Sequence, residues 1–137
     1  MKLMKLMKLI MLSIILTATP KFRSYASRAR AMLRFLGVLV KAKSVVELHL
    51  VGNAVMKKNV LSYVAPRRFA RPDVSAKPLG EIYLNPLYIA AHGEDFDLML
   101  AHGFLHLLGY DHETKSDRMK MEKKEDALLR AFAKRGS

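Results

Sequence analysis

Residues 96–112, with the sequence FDLMLAHGFLHLLGYDH, combine a long apolar run with three of the five histidines of the chain. Apolar side chains surround the predicted helix on all sides, which is typical of a helix buried against a sheet. The acidic pair Glu94–Asp95 suits a helix N-terminus, and Gly109 is predicted to end the helix. This central helix decides the fold and carries the candidate chemistry.

The three histidines of this stretch are predicted metal ligands. His102 and His106 are four residues apart, so they lie on one face of a helix. A helical residue at position 112 would point elsewhere, but Gly109 can adopt a left-handed conformation and turn the chain back, which lets His112 close the site. Three imidazoles leave a fourth tetrahedral position open for water, as in catalytic zinc sites. We expect one Zn²⁺ per chain, since burying so many imidazoles without a partner would be costly.

The residue after the first ligand distinguishes this motif from a protease motif. The spacing H-x3-H-x2-G-x2-H also occurs in metzincin proteases, where a glutamate follows the first histidine and acts as the general base. Gly103 occupies that position here. The absence of a general base at this position disfavours peptide hydrolysis.

The remaining histidines are interpreted as residues without a role in chemistry: His49 as an ordinary strand residue and His92 as an ordinary loop residue.

Charge is spread unevenly over the 137 residues. Residues 1–79 contain 16 Lys and Arg against two acidic residues, whereas residues 80–137 contain eight against ten. A basic half beside a slightly acidic half suggests a polyanion-binding face next to a separate site. Nucleic acid is the leading partner, and the alternatives are an anionic membrane surface or a charge that serves only solubility.

The chain has no cysteine, so a tightly bound transition metal needs His and carboxylate ligands.

The N-terminus repeats the triplet MKL, and we interpret residues 1–10 as a low-complexity extension before a single domain at 11–137. The apolar run Leu9–Leu16 resembles part of a secretory signal, but the lysines of the MKL triplets lie among the apolar residues just before it, and Pro20 is unfavourable after a cleavage site. It is also shorter than the ~20 apolar residues of a membrane-spanning helix. We therefore expect no stable membrane insertion, with an exported chain as the minor alternative.

Hydrophobic periodicity predicts an α+β fold, in which a small mixed sheet of about four strands packs against helices. Strands are expected at 11–17, 45–51, 60–65 and 80–85, and a loop at 66–79. A basic amphipathic helix is expected after Pro20 to about Val40, with Arg23, Arg28, Arg30 and Arg34 on its outer face. Thr114 is the predicted N-cap of a last helix that ends near Ala133.

The segment HGFLHLLGYDH at 102–112 resembles the signature H-G-x-L-H-L-x-G-Y-D-H of the YbeY family of bacterial zinc-dependent endoribonucleases. Asn59–Tyr63 (NVLSY) is similar to the family's N/D-V-L-S-F, and Leu79–Ile82 (LGEI) to its L-G-D-I. The resemblance implies a zincin-like fold with zinc on the central helix. It also implies a cytoplasmic protein that cleaves single-stranded RNA in 16S rRNA 3′-end maturation and ribosome quality control. A small-subunit ribosomal protein is a further candidate partner.

One departure from the family concerns the segment before the NVLSY strand. The family usually has a helix and an R-G-K-D-K-P-T-like stretch there, whereas only Asn53–Lys58 separates the two strands here. The arginine of that stretch has no counterpart in this chain. Lys57 or Lys58 could replace it only as a point charge, because lysine lacks the planar group with which arginine binds a phosphate through two hydrogen bonds. The candidate RNA-binding residues are Lys57, Lys58, Asn59, Ser62, Arg67, Arg68 and Arg71, with Phe69 as a candidate for stacking on a base.

The general base is not identified by the sequence. Asp111 and Glu81 are weak catalytic candidates. Asp111 has the alternative roles of orienting His112 or holding the turn, and Glu81 has that of an exposed strand residue. Two other functions stay open: a ribosome-associated RNA-binding factor that does not cleave, and a degenerate zinc hydrolase with another substrate.

Overall fold

The computed structural model describes residues 11–66 and 76–135. Its strands are β1 (Leu12–Thr17), β2 (Ser44–Leu50), β3 (Val60–Val64) and β4 (Lys77–Leu84). They form one four-stranded sheet in the order β1-β2-β4-β3. The first three strands in that order are parallel, and β3 pairs antiparallel with β4. The sheet is therefore mixed, as predicted.

Four α-helices accompany the sheet in the described part of the chain. They are α1 (Arg23–Leu36), α2 (Pro86–Ala91), α3 (Phe96–Leu107) and α4 (Lys115–Lys134). Short 3-10 turns flank α1 at Pro20–Phe22 and Gly37–Leu39. The N-cap predicted for the last helix is present, because the Thr114 hydroxyl accepts a hydrogen bond from the Asp117 amide at 3.0 Å. The α+β fold class is confirmed.

The sheet has one covered and one open face. Side chains alternate along a strand, so Val46 and Leu48 of β2 and Ile82 of β4 are fully buried against the helices. Their neighbours in sequence, which include Glu47 and Glu81, face the other way and are partly exposed. On the covered face α3 lies directly against the sheet, and its apolar residues Leu100, Phe104 and Leu105 are fully buried.

Helix α1 connects the parallel strands β1 and β2, which cannot be joined by a tight turn. Its buried residues recur at spacings of three and four and form one stripe: Ala29, Met32, Leu33 and Leu36. On the rim of this stripe, Arg28 Nε donates to Asp97 Oδ1 of α3 at 2.8 Å. Apolar packing and one ion pair thus hold α1 against the central helix.

The start of β4 differs from the prediction. A loop was expected through residue 79, but the strand begins at Lys77 and includes Pro78. Pro78 pairs with Val45, and Gly80 pairs with Val46, so Leu79 is an extra residue in the ladder. The resulting bulge accommodates a proline that cannot donate a hydrogen bond. Pairing with β2 therefore extends β4 through Pro78, although proline is locally unfavourable in a strand. The middle of the predicted loop, 67–75, lies outside the described residues.

Helix α2 is not among the predicted elements, and His92 at its end was interpreted as a loop residue. The Asn85 side chain accepts a hydrogen bond from the Tyr88 amide at 3.0 Å, and Pro86 occupies the first helical position. Asparagine followed by proline is a favourable start for a helix. Asn85 is fully buried, and its Nδ2 also donates to Asn53 Oδ1 and to the Met56 carbonyl. One side chain therefore starts α2 and fixes the linker between β2 and β3.

Candidate metal centre

The turn after α3 brings the third histidine back towards the helix. The Gly109 amide donates to the His106 carbonyl and the Tyr110 amide to the Leu105 carbonyl, each at 3.1 Å. This is the hydrogen-bond pattern of a Schellman motif, with Gly109 at the position that follows the cap. Its φ of +102° is in the region that favours glycine. The predicted reversal at Gly109 is therefore present.

The structure brings the three predicted ligands together. The ring centroids of His102 and His106 are 4.6 Å apart, and that of His112 lies 5.7 Å from the first and 5.0 Å from the second. One ring nitrogen from each residue lies within 4.8 Å of the other two. His102 and His106 are half-buried, whereas His112 is exposed. The triad therefore has a protein side and a solvent side.

Hydrogen bonds fix which nitrogen of each helical histidine faces the site. His102 Nδ1 donates to Glu125 Oε2 at 2.6 Å, and His106 Nδ1 donates to the Tyr110 carbonyl at 2.9 Å. Since both partners can only accept, each neutral ring presents a lone pair at Nε2. The two Nε2 atoms are 3.0 Å apart. Two lone pairs at this distance repel unless a cation lies between them.

A divalent metal ion fits this arrangement. Two ligands bound to tetrahedral zinc at ~2.0–2.1 Å are about 3.3 Å apart, close to the spacing of the two nitrogens. Metal-bound histidines commonly donate their other nitrogen to a carboxylate or a carbonyl, as both do here. Burial lowers the pKa of His106, because a charged ring would lose its hydration, and the nearby His102 ring, which would repel a second positive charge when protonated, lowers it further; the hydrogen bond to the Tyr110 carbonyl partly opposes the shift. The neutral, metal-binding form of His106 is therefore favoured.

Glu125 is a site residue that the sequence analysis did not identify. It lies on α4 between the buried residues Met121 and Leu128, and it is itself only 7% exposed. An acidic residue on the apolar stripe of a helix was the available signal, because burying a carboxylate requires a partner. The sequence alone could not name that partner, since His102 is 23 residues away on another helix.

Gly103 lies against the sheet. A Cβ atom at this position would lie 3.0 Å from Ser62 Oγ and from Val60 Cγ2, and 3.1 Å from Ile82 Cγ2. The Ser62 hydroxyl donates to the Gly103 carbonyl at 3.0 Å. Strand β3 therefore occupies the space beside α3 that a side chain at position 103 would need. Glycine permits this close packing of helix on strand.

A cavity of about 690 Å³ opens beside the triad. Strand β3 and the turn after α3 line it, and Asn59, Ser62 and Asp111 are among its lining residues. The side-chain Nδ2 of Asn59 donates to Glu94 Oε2 at 3.1 Å, and this hydrogen bond connects the start of β3 to the segment before α3. Lys57 and Lys58 are exposed on the linker before β3, outside the cavity lining. Two of the predicted RNA-binding residues, Asn59 and Ser62, thus share a cavity with the triad.

The two carboxylates considered as general bases lie in different places. Asp111 lines the cavity, and its Oδ1 accepts a hydrogen bond from the Glu113 amide at 3.3 Å in the turn. Glu81 is on the open face of the sheet, beside Glu47 and His49. Strand alternation therefore separates Glu81 from the triad, which lies with α3 on the covered face.

The other predicted RNA contacts are only partly described. Arg67, Arg68, Phe69 and Arg71 lie outside the described residues. All four α1 arginines, Arg23, Arg28, Arg30 and Arg34, are exposed, and Arg28 also pairs with the buried Asp97. Within residues 11–66 and 76–135, no helix has the length and apolar character needed to cross a membrane.

The chain is similar in sequence to proteins of one known family. The family model described as Endoribonuclease YbeY matches residues 38–133. Proteins named Endoribonuclease YbeY include one from Anaeromyxobacter sp. that is 33% identical over 130 residues, covering 82% of this chain and 67% of the relative. One from Rhodopseudomonas palustris is 39% identical over 79 residues, covering 52% and 42%. One from Thermodesulfovibrio yellowstonii is 43% identical over 60 residues, covering 37% and 38%.

The chain spans about two thirds of the first of these relatives and less than half of the other two. The family model covers well over half of the chain and includes β2, β3, β4, the triad and most of α4. The chain belongs to the YbeY family of endoribonucleases.

Proposed function

We propose that this protein is a zinc-dependent endoribonuclease that cleaves single-stranded RNA in 16S rRNA 3′-end maturation and ribosome quality control. The observation that carries the proposal is the convergence of His102, His106 and His112 beside an open cavity. The family's name supplies the reaction class. The basic first half of the chain supplies charge for a polyanionic substrate.

Zinc is the proposed metal, with one ion at the triad. Three imidazoles without cysteine match the ligand set of catalytic zinc sites, which keep a fourth position open. When bound, zinc would supply Lewis-acid polarisation of a phosphoryl oxygen or a lowered pKa for water. Glu125 and the Tyr110 carbonyl hold the rings of His102 and His106 in the required orientation.

The cavity beside the triad is the proposed substrate site. Asn59 and Ser62 on β3 form part of its wall, and Lys57 and Lys58 lie just before them in sequence, where they can contact the RNA backbone. Arg67, Arg68 and Arg71 are proposed to add phosphate contacts. Asp111 is the proposed proton acceptor, because it is the carboxylate among the described residues that lines this cavity. Glu81 is not retained in that role.

The setting of the enzyme is also proposed from the family resemblance. We place it in the cytoplasm, with the small ribosomal subunit as its substrate and a small-subunit ribosomal protein as a candidate partner. Residues 11–137 are proposed to form one metalloribonuclease domain after an extension at 1–10.

The test combines metal content with cleavage of a 16S-derived RNA for the wild-type chain, His106→Ala and His92→Ala. His92 is the matched control, because it is an exposed histidine at the end of α2. We expect His106→Ala to lose one zinc equivalent and all cleavage, and His92→Ala to keep both. Zinc binding without cleavage by the wild-type chain would favour an RNA-binding factor. Unchanged zinc content in His106→Ala would overturn the proposal.

A further inference from the structure

The open face of the sheet carries a second group of potential metal ligands. Glu47 of β2 and Glu81 of β4 are register partners, and His49 follows Glu47 by two residues on the same face. His49 Nε2 lies 3.3 Å from Glu81 Oε1 and 3.6 Å from Glu47 Oε2. One donor atom from each of the three residues lies within 4.8 Å of the others. We call these residues the sheet cluster.

The distances within the sheet cluster suit a shared ion better than direct hydrogen bonds. His49 Nε2 is buried and has no hydrogen-bond partner among the described residues, although two carboxylates flank it. Glu47 Oε2, at 3.6 Å, is beyond hydrogen-bonding distance, and Glu81 Oε1, at 3.3 Å, is poorly aligned with the ring nitrogen for a hydrogen bond. Two ligands that share a tetrahedral metal have this relation: they lie about 3.3 Å apart, and each points at the ion rather than at the other.

The two glutamates also present an electrostatic problem that a cation would solve. Like charges directly opposite each other on neighbouring strands destabilise a sheet. Both side chains are partly shielded from water, at 42% and 41% exposure. The Tyr83 ring stacks on the His49 ring with centroids 4.7 Å apart and covers one side of the cluster.

The nearest cavity on this face does not enclose the whole cluster. It has a volume of about 390 Å³, borders Glu81 and Tyr83 and extends to Met56 in the linker, whereas Glu47 and His49 do not line it. The triad lies with α3 on the other face of the sheet, so the sheet cluster does not share its ligands or its cavity. An ion held here would be independent of the one at the triad.

We propose that Glu47, His49 and Glu81 form a second site for a divalent transition-metal ion, with Zn²⁺ as the ion that we would test. One imidazole and two carboxylates neutralise a divalent charge and suit Zn²⁺ or Mn²⁺. The ion would join β2 to β4 and remove the repulsion between the two glutamates. We assign the ion a structural role, because its ligands lie on two paired strands and on the opposite face of the sheet from the triad.

Zinc binding to the full chain, measured by equilibrium dialysis with elemental analysis, tests this proposal. The variants are Glu81→Gln, His106→Ala, their combination, and Asp126→Asn as a control that removes an exposed carboxylate on α4. We expect two zinc equivalents in the wild type and in Asp126→Asn, one in each single variant, and none in the combination. Circular dichroism confirms that each variant is folded.

The number of zinc equivalents bound by each variant distinguishes the sheet cluster from the triad. A wild-type chain that binds one equivalent, which Glu81→Gln retains and His106→Ala loses, would overturn the second site while leaving the triad intact. A second measurement uses the thermal midpoint of His106→Ala: added Zn²⁺ should raise it, and the same addition should not raise it once Glu81→Gln is also present. An equal rise in both proteins would also overturn the proposal.

Discussion

The fold brings potential metal ligands together in two different ways, at the triad and at the sheet cluster. Both bring ring nitrogens close to other donor atoms, with nearest separations of 3.0 Å in the triad and 3.3 Å in the cluster. The triad comes from eleven consecutive residues, and Glu125 and the Tyr110 carbonyl fix two of its rings. The cluster depends on the register of two strands that are distant in sequence. A helix end positions ligands locally, whereas a sheet positions them only after the strands pair.

The largest effect is expected when the triad loses the carboxylate that orients one of its rings. Glu125→Gln keeps the shape of the side chain but removes the charge that holds the His102 ring. We expect zinc affinity at the triad to fall by about 10- to 100-fold. Glu122→Gln is the control, because it removes an exposed carboxylate one turn away. Competition with a chelator measures both affinities, and equal losses would show that only net charge matters.

The turn that recruits His112 offers the next test. Gly109→Ala places a Cβ on a residue with a φ of +102°, although no atom within 4 Å would collide with it. The cost is therefore one of backbone conformation, about 1–2 kcal/mol of the free energy of unfolding. Urea denaturation of the metal-free chain measures it. Gly93→Ala, also at positive φ in open space, should cost a similar amount but leave zinc affinity at the triad unchanged.

The anchoring of α3 against α1 is expected to have a smaller effect. Arg28→Gln leaves the Asp97 carboxylate buried without its cationic partner, while Arg28 itself is 58% exposed. Solvent screening reduces the loss, and we expect about 1 kcal/mol in the free energy of unfolding. Arg30→Gln, on the exposed side of the same helix, is the control. Identical thermal midpoints for the two variants would contradict the role of the ion pair.

The pH dependence of the metal-free chain is expected to give the smallest effect. The pKa of His106 is lowered in the folded state, so below the ordinary histidine pKa of about 6.5 the unfolded chain takes up this proton first. The associated stability is present above that pH and is lost as the pH falls through the folded-state pKa. We expect a shallower decline in His106→Ala. Parallel curves of unfolding free energy against pH would contradict this.

The sequence predicted the parts of this molecule that local rules determine. The spacing of His102 and His106, the reversal at Gly109 and the Thr114 cap all follow from interactions within one or two turns, and all are present. Hydrophobic periodicity also predicted the four strands and α1 within a few residues.

The missed features depend on contacts between distant segments. Glu125 meets His102 only when α4 packs against α3. The sheet cluster requires β4 to lie beside β2 rather than next to β3 alone, and no local pattern in the sequence shows that order. Glu81 was a candidate general base because it lies in the LGEI segment that resembles the family's L-G-D-I, but strand alternation places it on the face opposite the triad. The early start of β4 at Lys77 also depends on pairing, because a bulge absorbs Pro78.

The close packing at Gly103 limits which side chains this position can accept. Metzincin proteases have a glutamate there that serves as a base. The first carbon of such a side chain would lie 3.0–3.1 Å from Ser62, Val60 and Ile82, so these neighbours on β3 and β4 would have to move by a few tenths of an ångström. Acquiring that base would therefore require the contact between helix and sheet to repack as well as the substitution itself.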